Sequence, residues 1–207
     1  MAGGQIAPQP AGDVVAYPLD AAASQLIVLV GRAGALGRLG HNHIISAGEM
    51  EGIVHRHPDL SKSSVVLTLP VAGFVIDDPS LRQAEGEGFS SVPSQKDIDG
   101  TRRNMTGNRL LDAANFPVIS VDGRQLEIDA AGDATLELKL QVKNTAAIRR
   151  VPLTVVIGAD EIAASGGVVL NHEELGLTPF KALFGALQVA SPLTVRFSLK
   201  FRREPDD

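Results

Sequence analysis

The chain has 207 residues, no cysteine and a formal net charge of -5. This length suits one domain with a core large enough to need no covalent cross-links. The lack of cysteine excludes disulfides, thiolate metal ligands and cysteine nucleophiles, and it leaves the redox compartment open. The negative charge argues against a nucleic-acid-binding protein, because gripping phosphate backbones requires clustered positive charge. No apolar run approaches the roughly 20 residues of a transmembrane helix, so we expect no membrane span.

The chain is expected to consist of a flexible N-terminal tail, residues 1–13, followed by one domain, residues 14–203. The first dozen residues lack the basic start and the continuous apolar middle of a secretory signal. A chain complete as written would therefore be cytoplasmic, although these features alone leave the compartment open.

Short β-favouring segments separated by glycine, proline, asparagine and aspartate follow one another along the chain. The predicted strands are Val14–Leu19, Gln25–Val30, His43–His57, Ser64–Ile76, Val118–Ile128, Ala134–Val142, Ala147–Ile157, Glu161–Asn171 and Leu193–Phe201. Two of them, 134–142 and 193–201, alternate strictly between apolar and polar residues, which is typical of strands with one buried face. So many strands leave unpaired edges unless the sheet closes. We therefore predict an all-β fold, a closed antiparallel barrel of about eight strands.

Two segments have helical features. Ser94–Leu111 begins with a serine that suits a helix N-cap, and Leu177–Leu187 has Thr178 as a cap followed by Pro179 at the first helical position. We predict one helix in each segment, the second covering the barrel. The polar, glycine-rich stretch Asp77–Gln95 is predicted to be a long loop and a candidate lid over the interior.

Two groups of residues have spacings typical of binding sites. The four glycines from Gly31 to Gly40 follow an apolar run, as in a dinucleotide-binding loop, but more strand than helix follows them. His41 with His43 and His55 with His57 form pairs at spacing two, so each pair shares one face of a strand. If the chain turned near Glu49, the four imidazoles would meet and suit zinc or copper; if one bent strand runs through Gly48 and Gly52, the pairs stay apart.

The sequence shows no serine elbow, phosphate-binding lysine loop or carboxylate pair typical of an enzyme, so we predict no catalytic residues and no cofactor. The apolar alternation instead predicts a cavity that binds a long apolar ligand. The predicted cavity residues are Leu26, Val28, Val30, Leu67, Leu69, Leu136, Leu138, Leu140, Phe180, Leu183, Phe184, Val195 and Phe197. Arg102, Arg103 and Arg109 are candidates for binding an anionic head group, with a solvated helix face as the alternative.

The order of motifs resembles the YceI-like family. The resemblance rests on Tyr17–Asp20, His41–His43 before Gly48 and Gly52, Pro58–Leu60 with Ser63–Ser64, Arg103–Met105, Leu110–Asp112, Asn115–Ile119, Leu175–Phe180 and the strand that closes at Phe201. It covers the chain from about Tyr17 to Phe201. Members commonly have Arg-Asp and then His-Leu where this chain has Arg103-Asn104 and Met105-Thr106, so the chain resembles a divergent branch.

The resemblance implies a lipocalin-like barrel that binds a polyprenyl chain or an isoprenoid quinone, often in a periplasmic, dimeric bacterial protein. We therefore expect non-enzymatic binding, storage or transport of a hydrophobic small molecule, with a homodimer as the assembly that the resemblance suggests. Two alternatives stay open from the residues themselves. One is a histidine-dependent metal-binding protein, and the other is a barrel filled by its own side chains that acts as a structural or stress module.

Overall fold

The computed structural model describes residues 14–203, so the predicted tail, residues 1–13, lies outside the described residues. Twelve strands and two α-helices follow one another: β1 Val15–Pro18, β2 Gln25–Ala33, β3 His43–Ala47, β4 Glu51–Arg56, β5 Ser64–Pro70, β6 Phe74–Ile76, α1 Pro79–Glu85, α2 Gln95–Thr106, β7 Val118–Ile128, β8 Ala134–Val142, β9 Thr145–Ile157, β10 Glu161–Asn171, β11 Lys181–Ala182 and β12 Leu187–Arg202. The all-β class with two short helices is confirmed.

All strands belong to one curled antiparallel sheet. Eleven of them follow the order β1-β4-β5-β7-β8-β9-β10-β12-β2-β3-β6. The remaining strand, β11, pairs with the first residues of β12. The strand β12, with 16 residues, pairs with β10 along one side and with β2 along the other. An isolated bridge joins Leu19 to Phe201, and the Asp20 N–H donates to the Lys200 carbonyl at 2.8 Å. The segment that follows β1 is thus hydrogen-bonded to β12.

Twelve strands stand in place of the nine predicted strand segments, because two of those segments are each split in two and β11 lies within the segment predicted to be the second helix. The predicted strand 43–57 is split at Gly48, whose backbone approaches that of Gly73: a Cβ at Gly48 would lie 2.6 Å from the Gly73 carbonyl oxygen. The predicted strand 64–76 is split by a 3-10 turn, Val71–Gly73. The predicted strands Val118–Ile128, Ala134–Val142 and Glu161–Asn171 occur with the predicted bounds.

The loop predicted at Asp77–Gln95 contains a helix, α1, which sequence reasoning missed. The Asp78 carboxylate caps it by accepting from the backbone N–H groups of Ser80 and Leu81, at 2.9 and 3.1 Å, and Pro79 occupies its first position. This aspartate-proline pair is the same start signal that marks other helices. The helix predicted from Ser94 is present as α2, where Ser94 and Asp97 form a reciprocal capping box.

The helix predicted at Leu177–Leu187 is wrong. The segment instead forms β11 and a tight turn, because its backbone pairs with β12: the Val189 N–H donates to the Phe180 carbonyl at 3.0 Å. In the turn, Leu183 and Phe184 adopt left-handed conformations with φ of 49° and 55°, which an α-helix cannot include. The apolar spacing that indicated a helix belongs to a hairpin.

Apolar side chains on the concave face of the sheet form the core. Tyr17 and Phe201 are each 1% exposed, and the Tyr17 hydroxyl donates to the Ala159 carbonyl at 2.9 Å, which ties β1 to the β9–β10 turn. Because both aromatic side chains belong to the buried core where β1 and β12 approach each other, their packing holds this seam of the sheet together.

Replacing Phe201 with alanine tests the importance of this seam. We expect Phe201→Ala to lower the free energy of unfolding by about 3–5 kcal/mol, since it removes a buried aromatic ring. Chemical denaturation monitored by circular dichroism measures this change. Val156→Ala, on the exposed face of β9, is the control and should alter stability by about 0.5 kcal/mol or less. Equal effects of the two substitutions would contradict the proposed role of the seam.

Candidate functional site

The curled sheet surrounds an apolar cavity of ≈ 420 Å³. The interior is therefore not filled by the protein's own side chains. Barrels of about eight strands are just wide enough either to be filled by side chains or to hold one small ligand. With no tryptophan and seven phenylalanines in the whole chain, the inward positions are mainly leucine, valine and isoleucine. These side chains are too short to fill the space between opposite walls.

The alternation of side chains along each strand determines which residues line the cavity. Along β8, Leu136, Leu138, Leu140 and Val142 line the cavity, and the polar residues between them face outward. The wall follows β8 from Leu136 to Val142 for about 20 Å, at roughly 3.4 Å per residue. The cavity is thus elongated along the strands.

Eleven of the thirteen predicted cavity residues lie on the wall: Leu26, Val28, Val30, Leu67, Leu69, Leu136, Leu138, Leu140, Phe180, Val195 and Phe197. Leu183 and Phe184 do not line it. They lie at the exposed tip of the β11–β12 turn, where 60% of Leu183 is accessible and Phe184 is fully exposed. Their misplacement follows from the helix that was wrongly predicted here. Whether the wall residues contact a ligand stays a prediction.

Polar side chains on the cavity wall lie near its two ends. His43 of β3, Asn104 of α2 and Gln188 of β12 line the end that α2 covers, and Arg56 and Ser64, at the β4–β5 connection, line the opposite end. Arg32, His41, Ser63, Thr101 and His172 also line the cavity, and its other lining residues are apolar. A ligand in this cavity therefore meets hydrocarbon over most of its length.

A buried carboxylate next to the α2-covered end organises the surrounding loops. The Asp77 side chain is fully buried; its Oδ2 lies 2.6 Å from Nδ1 of His43, and its Oδ1 accepts from Nη1 of Arg82 at 2.5 Å and from the Ile44 N–H at 3.0 Å. Arg82 also donates to the carbonyls of Asn42 and Ser91, at 2.7 and 2.6 Å. This network fixes β3, α1 and the following loop, and it orients His43 on the cavity wall.

The same network determines the protonation of Asp77. Burial by itself raises the pKa of the Asp77 carboxyl, but hydrogen bonds from His43, the Ile44 N–H and Arg82 outweigh it and hold the pKa below its ordinary value of 3.8. Sequence reasoning missed Asp77 and Arg82, because neither stands in a periodic pattern. The cap at Asp78-Pro79 was the signal that an ordered helix begins here.

The two histidine pairs do not meet. β3 pairs with β2 and β6, whereas β4 pairs with β1 and β5, so the chain continues past Gly48 instead of folding back into a hairpin. His43 lies on the cavity wall next to Asp77, and His55 faces outward on β4. Within residues 14–203, no three His, Asp or Glu side chains are grouped to hold a metal ion. The proposed four-histidine site is therefore not formed.

The three candidate head-group arginines separate into two locations. Arg102 belongs to α2 and points toward β6, where its Nη1 donates to the Phe74 carbonyl at 3.0 Å. Arg103 and Arg109 instead line an open surface depression beside the α2-covered end, together with Lys181 of β11. We call this surface the basic depression, and its lining residues are Arg103, Asn104, Gly107, Asn108, Arg109, Leu110, Thr178, Pro179, Phe180 and Lys181.

The architecture and the cavity define a class of β-sheet proteins that enclose an apolar space, and comparison with solved structures shows that the fold is YceI-like. BcnA of Burkholderia cenocepacia is similar with a TM-score of 0.64 at 16% sequence identity, over 88% of this chain and 98% of BcnA. A polyisoprenoid-binding domain from Saccharophagus degradans, implicated in plant cell wall breakdown, gives 0.62 at 14% identity, over 93% and 100%. The YceI protein of Campylobacter jejuni gives 0.55 at 8% identity, over 78% and 85%.

No protein-family model and no curated protein matches the sequence. At these identities the similarity to solved structures establishes the fold alone. Among the described residues, no helix is long and apolar enough to cross a membrane.

The lowered pKa of Asp77 predicts that the folded protein loses stability in acid. Its contribution to stability is present above about pH 4 and is lost as the pH falls through the lowered pKa, because the unfolded state then binds the proton more readily. Asp77→Asn should lower the free energy of unfolding at neutral pH by about 3–5 kcal/mol, since it leaves the Arg82 charge buried and unpaired. The same substitution should also reduce the decrease in the free energy of unfolding that occurs as the pH falls.

Urea denaturation at about pH 7 and about pH 3 measures both effects. Asp133→Asn is the control, since Asp133 is exposed and its carboxylate makes no hydrogen bond within the described structure. If the Asp77 variant is as stable at neutral pH as the control variant, the network does not have the structural role assigned to it.

Proposed function

We propose that the protein binds a long apolar molecule inside the cavity and stores or transports it without catalysing a reaction. The observation that carries this proposal is the elongated cavity with an aliphatic wall. Each methylene group moved from water into such a space contributes about 0.8 kcal/mol. A tail of a dozen or so carbons therefore gains several kcal/mol even after the cost of immobilising it.

The cavity length supports a lipid-like tail. The wall along β8 extends for about 20 Å, whereas a bilayer leaflet, half of a hydrocarbon core of roughly 30 Å, is about 15 Å thick. One extended lipid tail spans a leaflet, so the cavity is long enough for a tail of that size. A polyprenyl chain or the tail of an isoprenoid quinone is the ligand class that we favour.

The structural similarity to a domain described as polyisoprenoid-binding supports this choice of ligand class. Its sequence identity to this chain is 14%, so the argument for this chain depends on its own cavity. The inward alternation of leucine, valine and isoleucine gives the branched, flexible walls that suit a methyl-branched chain.

We also propose that the curled sheet functions as a closed barrel of eight bent strands. In this interpretation β1 with β2, β3 with β4, and β5 with β6 are the two halves of three strands. The pairings support it, since β1 pairs with β4, β2 with β3, β4 with β5 and β3 with β6. The bridge between Leu19 and Phe201 and the pairing of β2 with β12 support closure on the remaining side.

Filling the cavity tests the proposed function. Ala164 of β10 lies on the cavity wall, and its neighbour Ala163 faces outward. Ala164→Phe should weaken binding of geranylgeraniol at least about tenfold, because the new ring occupies the space of several ligand carbons. Ala163→Phe is the matched control and should bind like the wild type.

Fluorescence displacement of an environment-sensitive apolar dye measures the affinity, and circular dichroism verifies that both variants fold. Organic extraction and mass spectrometry of the purified protein identify any lipid that copurifies. Unchanged binding in both variants, or no binding by the wild type, would contradict the assignment of the cavity as the ligand site.

A further inference from the structure

We propose that the protein docks on an anionic lipid bilayer through exposed apolar side chains on two adjoining turns. One turn joins β11 to β12, and the other is the short turn Gly37–Leu39 after β2. We call the side chains of Leu39, Leu183 and Phe184 on these turns the apolar tip. Docking goes beyond the proposed function, because it concerns the outer surface and requires no ligand in the cavity.

The first argument is the exposure of the apolar tip. Phe184 is fully exposed, and 66% of Leu39 and 60% of Leu183 are accessible. The Leu36 N–H donates to the Ala186 carbonyl at 2.8 Å, so the two turns are held side by side. Exposed apolar side chains that occur singly are normal, but two adjoining turns that present three of them form a patch typical of a binding surface.

The second argument is the backbone that carries Phe184. Leu183, Phe184 and Gly185 are consecutive left-handed residues, with φ of 49°, 55° and 89°. Glycine and asparagine adopt this conformation readily, whereas leucine and phenylalanine are strained in it. Because Phe184 is fully exposed, burial within the protein does not offset its strain. Strained residues of this kind are concentrated at functional sites.

The third argument is the charge around the apolar tip. Arg38 and Lys181 are exposed beside it, and neither has an ion-pair partner within residues 14–203. The segments that contain them, residues 21–48 and 175–203, include no aspartate or glutamate, although the whole chain has 24. Anionic lipids attract such positively charged groups near the membrane surface.

The carboxylates of Asp97 and Glu87 lie beside the start of β3 instead. Asp97 interacts electrostatically with His41, and Glu87 precedes Gly88, whose carbonyl accepts from Nδ2 of Asn42 at 2.9 Å. An anionic surface repels these carboxylates. We therefore expect the molecule to approach the bilayer with the β11–β12 turn foremost.

The size of the apolar tip favours a bilayer over a protein partner. Its two turns, Gly37–Leu39 and Leu183–Gly185, have three residues each. A stable protein interface takes roughly 20–30 residues from each side. A bilayer requires no complementary shape, and its interface accommodates apolar side chains that are flanked by lysine and arginine.

The position of the apolar tip connects docking with the cavity. Gly40 directly follows Leu39, and Phe180 and Leu187 lie on either side of the β11–β12 turn; all three line the cavity. Docking would therefore bring this end of the cavity to the bilayer surface. A lipid tail could then pass between the two with little exposure to water, a step that rests on the proposed function.

Tryptophan variants test whether the apolar tip enters a bilayer. The chain has no tryptophan, so Phe184→Trp places a single indole at the tip. Val156→Trp is the control, since Val156 is exposed and its partner Ala163 pairs with Lys200, near the far end of β12. Vesicles of equal parts phosphatidylcholine and phosphatidylglycerol should shift the emission of Phe184→Trp to the blue and expose it to quenching by brominated lipids. The emission of Val156→Trp should not change.

Sedimentation with the same vesicles measures the affinity. Phe184→Asn should weaken binding at least about tenfold, because it removes the largest apolar side chain of the tip. It should not lower the melting temperature, because asparagine tolerates the left-handed conformation. Val156→Asn is the matched control and should bind like the wild type.

A second pair of variants tests the charge. The double variant Arg38→Gln with Lys181→Gln should lose most of the preference for these vesicles over vesicles of phosphatidylcholine alone. Arg124→Gln, which removes an exposed arginine of β7, should retain the preference. Rising salt concentration should reduce the preference of the wild type, because it screens exposed charges.

Equal binding of the wild type and Phe184→Asn, or no binding of the wild type to either kind of vesicle, would overturn this inference. It would also be overturned if sedimentation velocity showed that Phe184→Asn dissociates a dimer, because a second copy of the chain would then cover the tip. The proposed function is tested without vesicles, by ligand binding in the cavity, so the two failures are distinguishable.

Discussion

Alternation of side chains along strongly curved antiparallel strands is the constraint on which the rest of this structure depends. Every second residue of β8, and of β12 from Leu193 to Phe201, faces the interior, and the curvature of the sheet fixes how far apart opposite walls stand. Leucine and valine at these positions bury apolar surface against their neighbours but do not span the interior. The same pattern that stabilises the sheet therefore also leaves the cavity open.

Local sequence patterns predicted much of the fold because they depend on few competing interactions. The bounds of β7, β8 and β10 follow from alternation and flanking turn residues. The helix predicted at Leu177–Leu187 was wrong because apolar spacing describes only local preference. In the structure, the backbone of this segment forms its hydrogen bonds with β12. The missed helix α1 shows the converse, since its cap was visible but polar composition made the segment resemble a loop.

The cavity wall was predictable from alternation, whereas the polar groups around it were not. Asp77 adopts a left-handed backbone conformation with φ of 58° and binds residues from β3 and α1, so its environment depends on tertiary structure. Lys181 joins Arg103 and Arg109 because β11 packs beside the end of α2. Such sites combine distant segments, and no spacing within one segment indicates them. The histidine pairs illustrate the opposite case, where a regular spacing suggested a site that strand pairing prevents.

Because β2 pairs with β12, the sheet can be completed only late in the synthesis of the chain. The Ser24 hydroxyl donates to the Lys200 carbonyl at 3.4 Å across 176 residues of chain, and β12 holds β2 and β10 together. Until the ribosome has released residues 187–202, both neighbours of β12 present unpaired edges. Such non-local pairing slows folding and exposes intermediates to aggregation. The sheet can therefore join β2 to β10 only after translation has passed β12.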